Sequence, residues 1–457
     1  MRTTTSQTSA LGNITTMGTP RKSLLVLLIA TLMSGTAHAE ASPAVAKDYD
    51  QHLGALFKHF HANPELSLIE NQTAERMAQE LGDAGFTVTT GIGGTGLVAM
   101  LENGDGPLVS MRADMDGLPV EEKSGLEYAS KATQVSPITG QEVPVMHACG
   151  HDVHITSLVG TARQMVARKD EWSGTLMLIV QPAEERVIGA KAMMDDGLYE
   201  RFGTPDFGLA FHVAAGIEAG MVNIVDGSPY AGADTVDIVI HGIGAHGASP
   251  HAGKDPIVLG SQIVLALQTL VSRELPPRQA GVVTVGSFHA GTKHNIISDR
   301  AVLQLTVRNT NTQTRKTLLE GIERIAVAMG RVAGLPEDKL PEVTVSNESV
   351  PPTVNNAELA QELRQVWIDT LGADRVNSDE PQGMGAEDYP FFTTDPYIPS
   401  VYFAIGGTSA ADMEAARKGE IAIASHHSPL FKIEPEPAVT AGVDATVAAL
   451  LHLMPTQ

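Results

Sequence analysis

Two apolar runs, Leu108-Val-Ser-Met111 and Leu176-Met-Leu-Ile-Val180, are continuous rather than alternating, which is the pattern of strands buried on both faces of a sheet. Between them Ile155, Leu158, Val159, Ala162, Met165 and Val166 recur at helical spacing, and this stripe predicts a helix packed on such a sheet. Upstream, residues 63–85 read as an amphipathic helix followed by a short strand from Phe86, and Leu97 to Leu101 read as another strand. From about Ala231 the order changes. Strands at Val236 to His241, Gly281 to Phe288, Ala301 to Arg308 and Glu342 to Ser346 alternate with helices at Pro256 to Arg273 and Gln313 to Val332. This β-α-β-β-α-β order predicts a small ferredoxin-like unit with its helices on one sheet face. Pro351-Pro352 marks its exit, after which a helix at Ala357 to Leu371 and a strand at Val401 to Ile405 return to the first domain. The expected fold class is therefore α/β in two domains, one over residues 40–230 and 349–457, the other inserted at 231–348.

Residues 1–39 carry an export pattern: Arg21-Lys22, an apolar stretch from Leu24 to Met33 too short to span a bilayer, and Ala37-His38-Ala39 as a small-x-small cleavage site. Met17, just before the basic pair, is an alternative start that gives a leader of ordinary length. Cleavage is expected after Ala39, placing the mature chain in a periplasm or outside the cell. The 457 residues are 43% hydrophobic and 18% charged, enough apolar material to exclude disorder as the main state. The net charge of −22, with no long run of Lys and Arg, argues against nucleic acid and anionic membrane surfaces as partners. Cys149 is the one cysteine, so no internal disulfide can form. An exported free thiol is liable to oxidation, and its presence suggests that something else occupies the sulfur.

Gly91, Gly93 and Gly96 satisfy a G-x-G-x-x-G spacing, but a strand follows rather than a helix, so the phosphate-binding mechanism behind that pattern is missing. The densest chemistry lies in Met146-His-Ala-Cys-Gly-His-Asp-Val-His154. If this stretch is extended, Cys149 and His151 project to one side and can share a metal, with Asp152 free to orient an imidazole. Gln181-Pro-Ala-Glu-Glu185 follows an apolar strand. In an extended segment Glu184 and Glu185 would point oppositely, letting one ligate metal while the other acts as general base, as a metal hydrolase requires. His212, expected after a strand, and His427, in a proline-marked loop, complete five candidate ligands with Cys149, His151 and Glu185, about what two metal ions need.

The chain resembles the M20 metallopeptidase and amidohydrolase family, in particular its hippurate hydrolase and indole-acetyl-amino-acid hydrolase branch. The matching segments are His61-Ala-Asn-Pro-Glu-Leu66, Gly94-Thr-Gly-Leu-Val-Ala99, Arg112-Ala-Asp-Met-Asp-Gly-Leu-Pro119, Met146 to His154, Gln181 to Glu185, Gly244-Ala-His246 with Pro250-His251 and Asp255-Pro256, Asn295-Ile296, Gly385-Ala-Glu-Asp388 and His427-Ser-Pro429. They run in order from about residue 50 to 431. The resemblance implies a zinc-exopeptidase-like mixed-sheet catalytic domain and an inserted lid or dimerisation domain. It further implies two divalent ions per subunit, zinc first, with manganese, nickel or cobalt as substitutes, held by Cys149, His151, Glu185, His212 and His427. The His-Ser-Pro spacing favours His427 over its rival His426. Glu184 would be the general base and His246 the oxyanion donor, reaching a neighbouring subunit's site in a homodimer. Asn295 and Arg308 match positions that resemble contacts to a substrate carboxylate. Asp114 and Asp116, whose spacing after a strand would itself suit a metal, are assigned supporting roles, as is Asp152.

The expected activity is hydrolysis of the amide bond of N-acyl amino acids; a carboxypeptidase or dipeptidase acting on short peptides is its neighbour in the same class. Cys149 as a nucleophile with His151 as base is a weaker reading, because no clear partner orients the pair. A non-enzymatic metal or ligand carrier would need neither Glu184 nor His246.

Overall fold

The computed structural model describes residues 41–456. The export pattern expected over residues 1–39 lies outside the described residues.

One sheet dominates the structure. Its strands are β1 (Thr87–Ile92), β2 (Gly96–Asn103), β3 (Leu108–Asp114), β4 (Gly174–Gln181), β5 (Phe207–Glu218) and β6 (Val222–Asn223), joined late in the chain by β11 (Val376–Asn377) and β12 (Ser400–Thr408). Their order is β1-β2-β4-β3-β5-β12-β6-β11. The central strands β4, β3, β5 and β12 run parallel, whereas β1 with β2, β2 with β4, and β12 with β6 are antiparallel, so the sheet is mixed. β3 and β4 are buried along almost their whole length, as their continuous apolar runs require. Alternate residues feed separate cores: Leu176, Leu178 and Val180 join one apolar cluster, Met177 and Ile179 another.

The larger cluster lies under α1 (Gly54–Ala62), α2 (Asn71–Asp83), α3 (His151–Ala167), α6 (Ala357–Leu371) and α7 (Pro435–Leu453). Two sequence expectations need correction here. The helix expected from residue 63 starts at Asn71, because Pro64 and Leu68, at φ 76°, hold residues 63–70 in turns, and buried Glu65 accepts the Thr73 N–H at 2.7 Å to cap the helix that follows. The single apolar stripe on α3 underestimates its burial. α7, which the sequence pattern did not reveal, packs against α3 within the same apolar cluster. Gly160 sits where a Cβ would lie 2.6 Å from Val443 and 2.8 Å from Leu53, and Gly442 sits equally close to Ser157.

A second sheet has the order β8-β9-β7-β10, built from β7 (Gly232–His241), β8 (Gly281–Ala290), β9 (Arg300–Asn309) and β10 (Glu342–Val345), all antiparallel. α4 (Pro256–Thr269) and α5 (Thr312–Val332) pack on one face around their own apolar cluster, which includes Ile238, Ile263, Leu303 and Ile322. Asn311 caps α5 by accepting the Thr314 N–H, and Asp255 caps α4 ahead of Pro256. The strand order is that of the ferredoxin-like unit. The two segments entering and leaving this unit run side by side, joined by bridges between Tyr230 and Thr353 and between Ala233 and Val350.

β5 and β12 pair in parallel up to Ala214 and Gly406, where the register shifts. At this bulge Gly406 donates its N–H to the Met221 carbonyl, and an added Cβ would stand 1.8 Å from the Glu218 carbonyl oxygen, a backbone atom that cannot step aside. Gly406→Ala is therefore expected to destabilise the protein by about 2 kcal/mol or more, within the usual range of overpacking, read as a lowered melting temperature.

Candidate metal centre

The C-terminal ends of the parallel strands deliver the polar side chains, the usual place for a site in such sheets. β3 ends in Asp114, with Asp116 just beyond; β4 runs into the Glu184–Arg186 turn; β5 carries His212; and α3 opens at His151. The 426–427 loop closes the group, its His427 N–H donating to the Ala148 carbonyl at 2.8 Å.

The local backbone differs from the extended geometry read from the sequence. Cys149 and His151 meet because Gly150 turns at φ 88°, with no room for a Cβ beside Val213 (2.4 Å), not because the stretch is a strand. Glu184 and Glu185 lie in one turn of 3-10 helix between Ala183 and Val187, both at positive φ. Buried Glu70 holds this turn, accepting the Ala183 N–H at 2.8 Å and the Thr95 hydroxyl at 2.6 Å. Burial and the nearby Asp116 carboxylate push Glu70 up to about 7. His212 sits within β5 rather than after it.

Three groups of donor atoms interlock: Cys149 with His151 and His212; Cys149 with Glu185 and His427; His151 with Glu184 and Glu185. Within each, the ligating atoms lie no more than 4.8 Å apart. The histidines are oriented by their second nitrogens. His151 Nδ1 stands 3.2 Å from the Asp116 carboxylate, and its Nε2 lies 3.6 Å from Asp114 and 3.9 Å from both Glu184 and Glu185. His212 donates Nδ1–H to the Val213 carbonyl at 2.7 Å, leaving the Nε2 lone pair 3.5 Å from the Cys149 sulfur. His427 Nε2 lies 3.4 Å from Glu185. Asp116 also accepts the Ser67 hydroxyl and the Glu185 N–H, so one carboxylate aligns two of these side chains.

His151 Nε2 and Glu185 Oε1 are buried without a hydrogen-bond partner. A buried orphan of this kind is costly, and a cation among thiolate, imidazole and carboxylate would satisfy both at once. The donor set therefore fits divalent metal. His154, though close, is already committed: Nδ1 faces Asp114 and Nε2 accepts the Val213 N–H at 2.9 Å.

Beneath the cluster lies Arg112, fully buried, whose guanidinium donates to Asp114 (2.7 Å), Glu387 (2.7 Å) and the Gln181 amide oxygen (2.7 Å), with Asp388 at 3.4 Å. Burial would raise the Asp114 carboxyl, but Arg112 with His151 and His154 holds it well below the usual carboxylate range. Glu184 has no such partner; burial and the Glu387, Glu185, Asp388 and Asp114 carboxylates push it well above its ordinary value. Glu387 and Asp388 were not singled out from the sequence as site residues; an acidic pair behind Gly385 was the available signal.

Other expected site residues lie elsewhere. Asp152 orients an imidazole, but it is that of His61, at 2.7 Å, whose other nitrogen meets Glu122. Burial alone would lower His61, yet these two hydrogen bonds raise it to about 9. His246 is exposed in a two-residue strand paired with Ile296 and Ile297, its Nδ1 accepting the Ala248 N–H. Asn295 lies on the adjoining segment, its carbonyl accepting the Gly247 N–H. Arg308 is half-buried on β9, on the opposite face from buried Leu305 and Val307. Among the described residues no hydrogen bond joins these three to the cluster around Cys149.

A family model, Peptidase family M20/M25/M40, matches residues 110–426. The chain belongs to this family. It is 36% identical to the hippurate hydrolase of Campylobacter jejuni, over 73% of this chain and 82% of that one, and 36% identical to IAA-amino acid hydrolase ILR1-like 2 of Arabidopsis thaliana, over 82% and 79%. The crystal structure of the Bacillus subtilis YXEP protein, a dinuclear metal binding peptidase from the M20 family, superposes with a TM-score of 0.72 at 25% identity, covering 89% of this chain and 99% of that one. This M20 chain is thus a hydrolase acting on amide bonds.

Arg112→Leu is expected to cost about 3–5 kcal/mol, because it strands buried carboxylates without their cation. The depressed Asp114 value contributes stability that is present above the ordinary carboxylate value near 4 and lost as pH falls through the lower folded value. The variant's deficit should therefore hold near its full size from neutral pH down to about pH 4 and shrink only below it, as measured by denaturant unfolding at pH 7 and at about pH 2.5.

Proposed function

We propose that this M20 chain hydrolyses the amide bond linking an acyl group to an amino acid. The observation that carries the reading is the interlocked donor cluster of Cys149, His151, Glu185, His212 and His427 around the orphaned atoms of His151 and Glu185. The relatives named for hippurate and for IAA-amino acids support N-acyl amino acids as the substrate class. These five side chains would hold two divalent ions, of which zinc suits thiolate and imidazole best. The ions would supply Lewis acidity to the amide carbonyl and to the attacking water.

Glu184 takes the proton of the attacking water and passes it to the leaving amine. Burial beside Glu387, Glu185 and Asp388 raises the proton affinity of its carboxyl, which favours the first of these transfers. Asp116 keeps the His151 ring in the tautomer that presents Nε2. Arg308 offers a guanidinium fork that suits the substrate carboxylate, and Asn295, at the other end of β9 next to Gly247, offers an amide. His246, exposed and apart from the cluster, stabilises the oxyanion in the site of a second copy of the chain, a contribution commonly worth about 3 kcal/mol. A homodimer through the second sheet is supported by the free edge of β8 and by Val258 and Leu265 exposed on the neighbouring α4.

Hydrolysis of N-benzoylglycine should be abolished by a chelator and restored by a divalent metal; turnover that survives complete metal removal would refute the reading. Glu184→Gln should lower kcat by about a hundred- to ten-thousandfold with metal content unchanged. Mixing Glu184→Gln with His246→Ala should restore up to about a quarter of wild-type activity, because a mixed symmetric dimer holds one complete site. Activities that merely add would exclude the contribution across subunits.

A further inference from the structure

Two imidazole nitrogens lie within hydrogen-bond distance of the Cys149 sulfur, and they present opposite chemistry to it. His212 has given its proton to the Val213 carbonyl, so the nitrogen facing the sulfur is a lone pair. His426 is held the other way round. At the register shift between β5 and β12 the Ala215 N–H is free for a side chain, and it donates to His426 Nε2 at 3.3 Å. A ring nitrogen that accepts a hydrogen bond carries no proton, so the ring's one proton resides on Nδ1. That nitrogen stands 3.8 Å from the Cys149 sulfur. Phe431, with its ring centroid at 4.8 Å, and His212, edge-on at 5.2 Å, hold the imidazole in this plane.

We infer that His426 is a positioning residue for Cys149, donating an Nδ1–H···S hydrogen bond to the thiolate rather than serving as a ligand itself. The inference rests on the reading of Cys149 as a metal ligand. The bond fixes the direction of the sulfur and draws electron density from it, the way partners of ligating side chains commonly tune a metal site. It also assigns distinct tasks to adjacent histidines: His427 turns toward Glu185, while His426 turns toward the sulfur. The bulge becomes functional in this view, since a regular β5–β12 ladder would use the N–H that sets the His426 tautomer.

The test uses the full chain loaded with cobalt(II) and reads the near-ultraviolet absorption of sulfur-to-cobalt charge transfer. His426→Phe keeps a ring against Phe431 but has no donor; His426→Asn places an amide N–H close to the position of Nδ1. Withdrawal of charge by a hydrogen bond moves the band to shorter wavelength, so His426→Phe should shift it to longer wavelength while His426→Asn leaves it near the wild-type position. A His426→Phe band that coincides with the wild type, or a His426→Asn band displaced as far as that of His426→Phe, overturns the inference and leaves the metal reading intact. Stoichiometric cobalt without any sulfur band in the wild type would overturn the assignment of Cys149 as ligand, and this inference with it. Should the Phe variant fail to fold, His426→Leu supplies the same comparison against Asn.

Discussion

A single buried guanidinium stands between the fold and its own electrostatics. Asp114, Glu387 and Asp388 converge below the site from β3 and from a loop more than 270 positions away in the chain, and all three are buried. Arg112 holds Asp114 well below the usual carboxylate range, while burial and the Glu387 carboxylate push Asp388 well above it even beside the guanidinium. Arg112 also reaches Gln181 at the end of β4, and the Tyr402 hydroxyl from β12 completes the ring by donating to Glu387. The network thus spans the central strands β4, β3 and β12 and sets the height at which each ends. With every donor on the guanidinium committed, the floor of the site is rigid, and the side chains above it inherit that rigidity.

Above this floor, the identity of each histidine follows from what its far nitrogen touches. A carbonyl at Nδ1 leaves Nε2 of His212 as a lone pair, whereas His151 has carboxylates on both nitrogens, Asp116 at Nδ1 and Asp114 at Nε2, which raise it to about 10 against its burial. His154, with Asp114 on one side and the Val213 N–H on the other, has nothing left to offer and serves as a strut between α3 and β5. His61, flanked by Asp152 and Glu122, is held as a cation and ties the start of α3 to the end of α1. Imidazoles of the same sequence type are thereby divided between coordination and scaffolding by hydrogen bonds alone.

Much of the fold was legible because its signals are local. Continuous apolar runs identify strands covered on both faces, and the order of elements between residues 231 and 348 is enough to suggest the ferredoxin-like unit. The clustering of Cys149, His151, Glu184 and Glu185 was legible too, since each pair is close in sequence. The means of bringing them together was not. A left-handed turn at Gly150 and a 3-10 turn after Ala183 replace the extended segments that residue alternation suggests, and both depend on distant contacts, Val213 in one case and Glu70 in the other. Glu387 and Asp388 were overlooked for a related reason. An acidic pair in a loop is ordinarily solvated, and only a guanidinium from β3 turns this one into part of the core. α7 escaped notice because a helix buried on nearly every side lacks the polar stripe by which an amphipathic helix is recognised.

The separation of His246, Asn295 and Arg308 from the metal cluster follows from how the two sheets are built. Each sheet has its own apolar cluster, and the connections between them are two neighbouring segments bridged at Tyr230–Thr353 and Ala233–Val350. Nothing in the packing of β7 to β10 depends on the Arg112 network, so the second unit can carry polar side chains that are exposed and unconstrained by the charge below the site. His246 is such a residue: among the described residues its ring is held by a hydrogen bond from the Ala248 N–H, and the nitrogen left over is carried on a short two-stranded ribbon rather than on a core. His246, in the oxyanion role proposed for it, benefits from this arrangement. Placed permanently against the cluster, it would be pulled toward Glu184 and Glu185 in the ground state, and interactions made equally before and during reaction do not accelerate it.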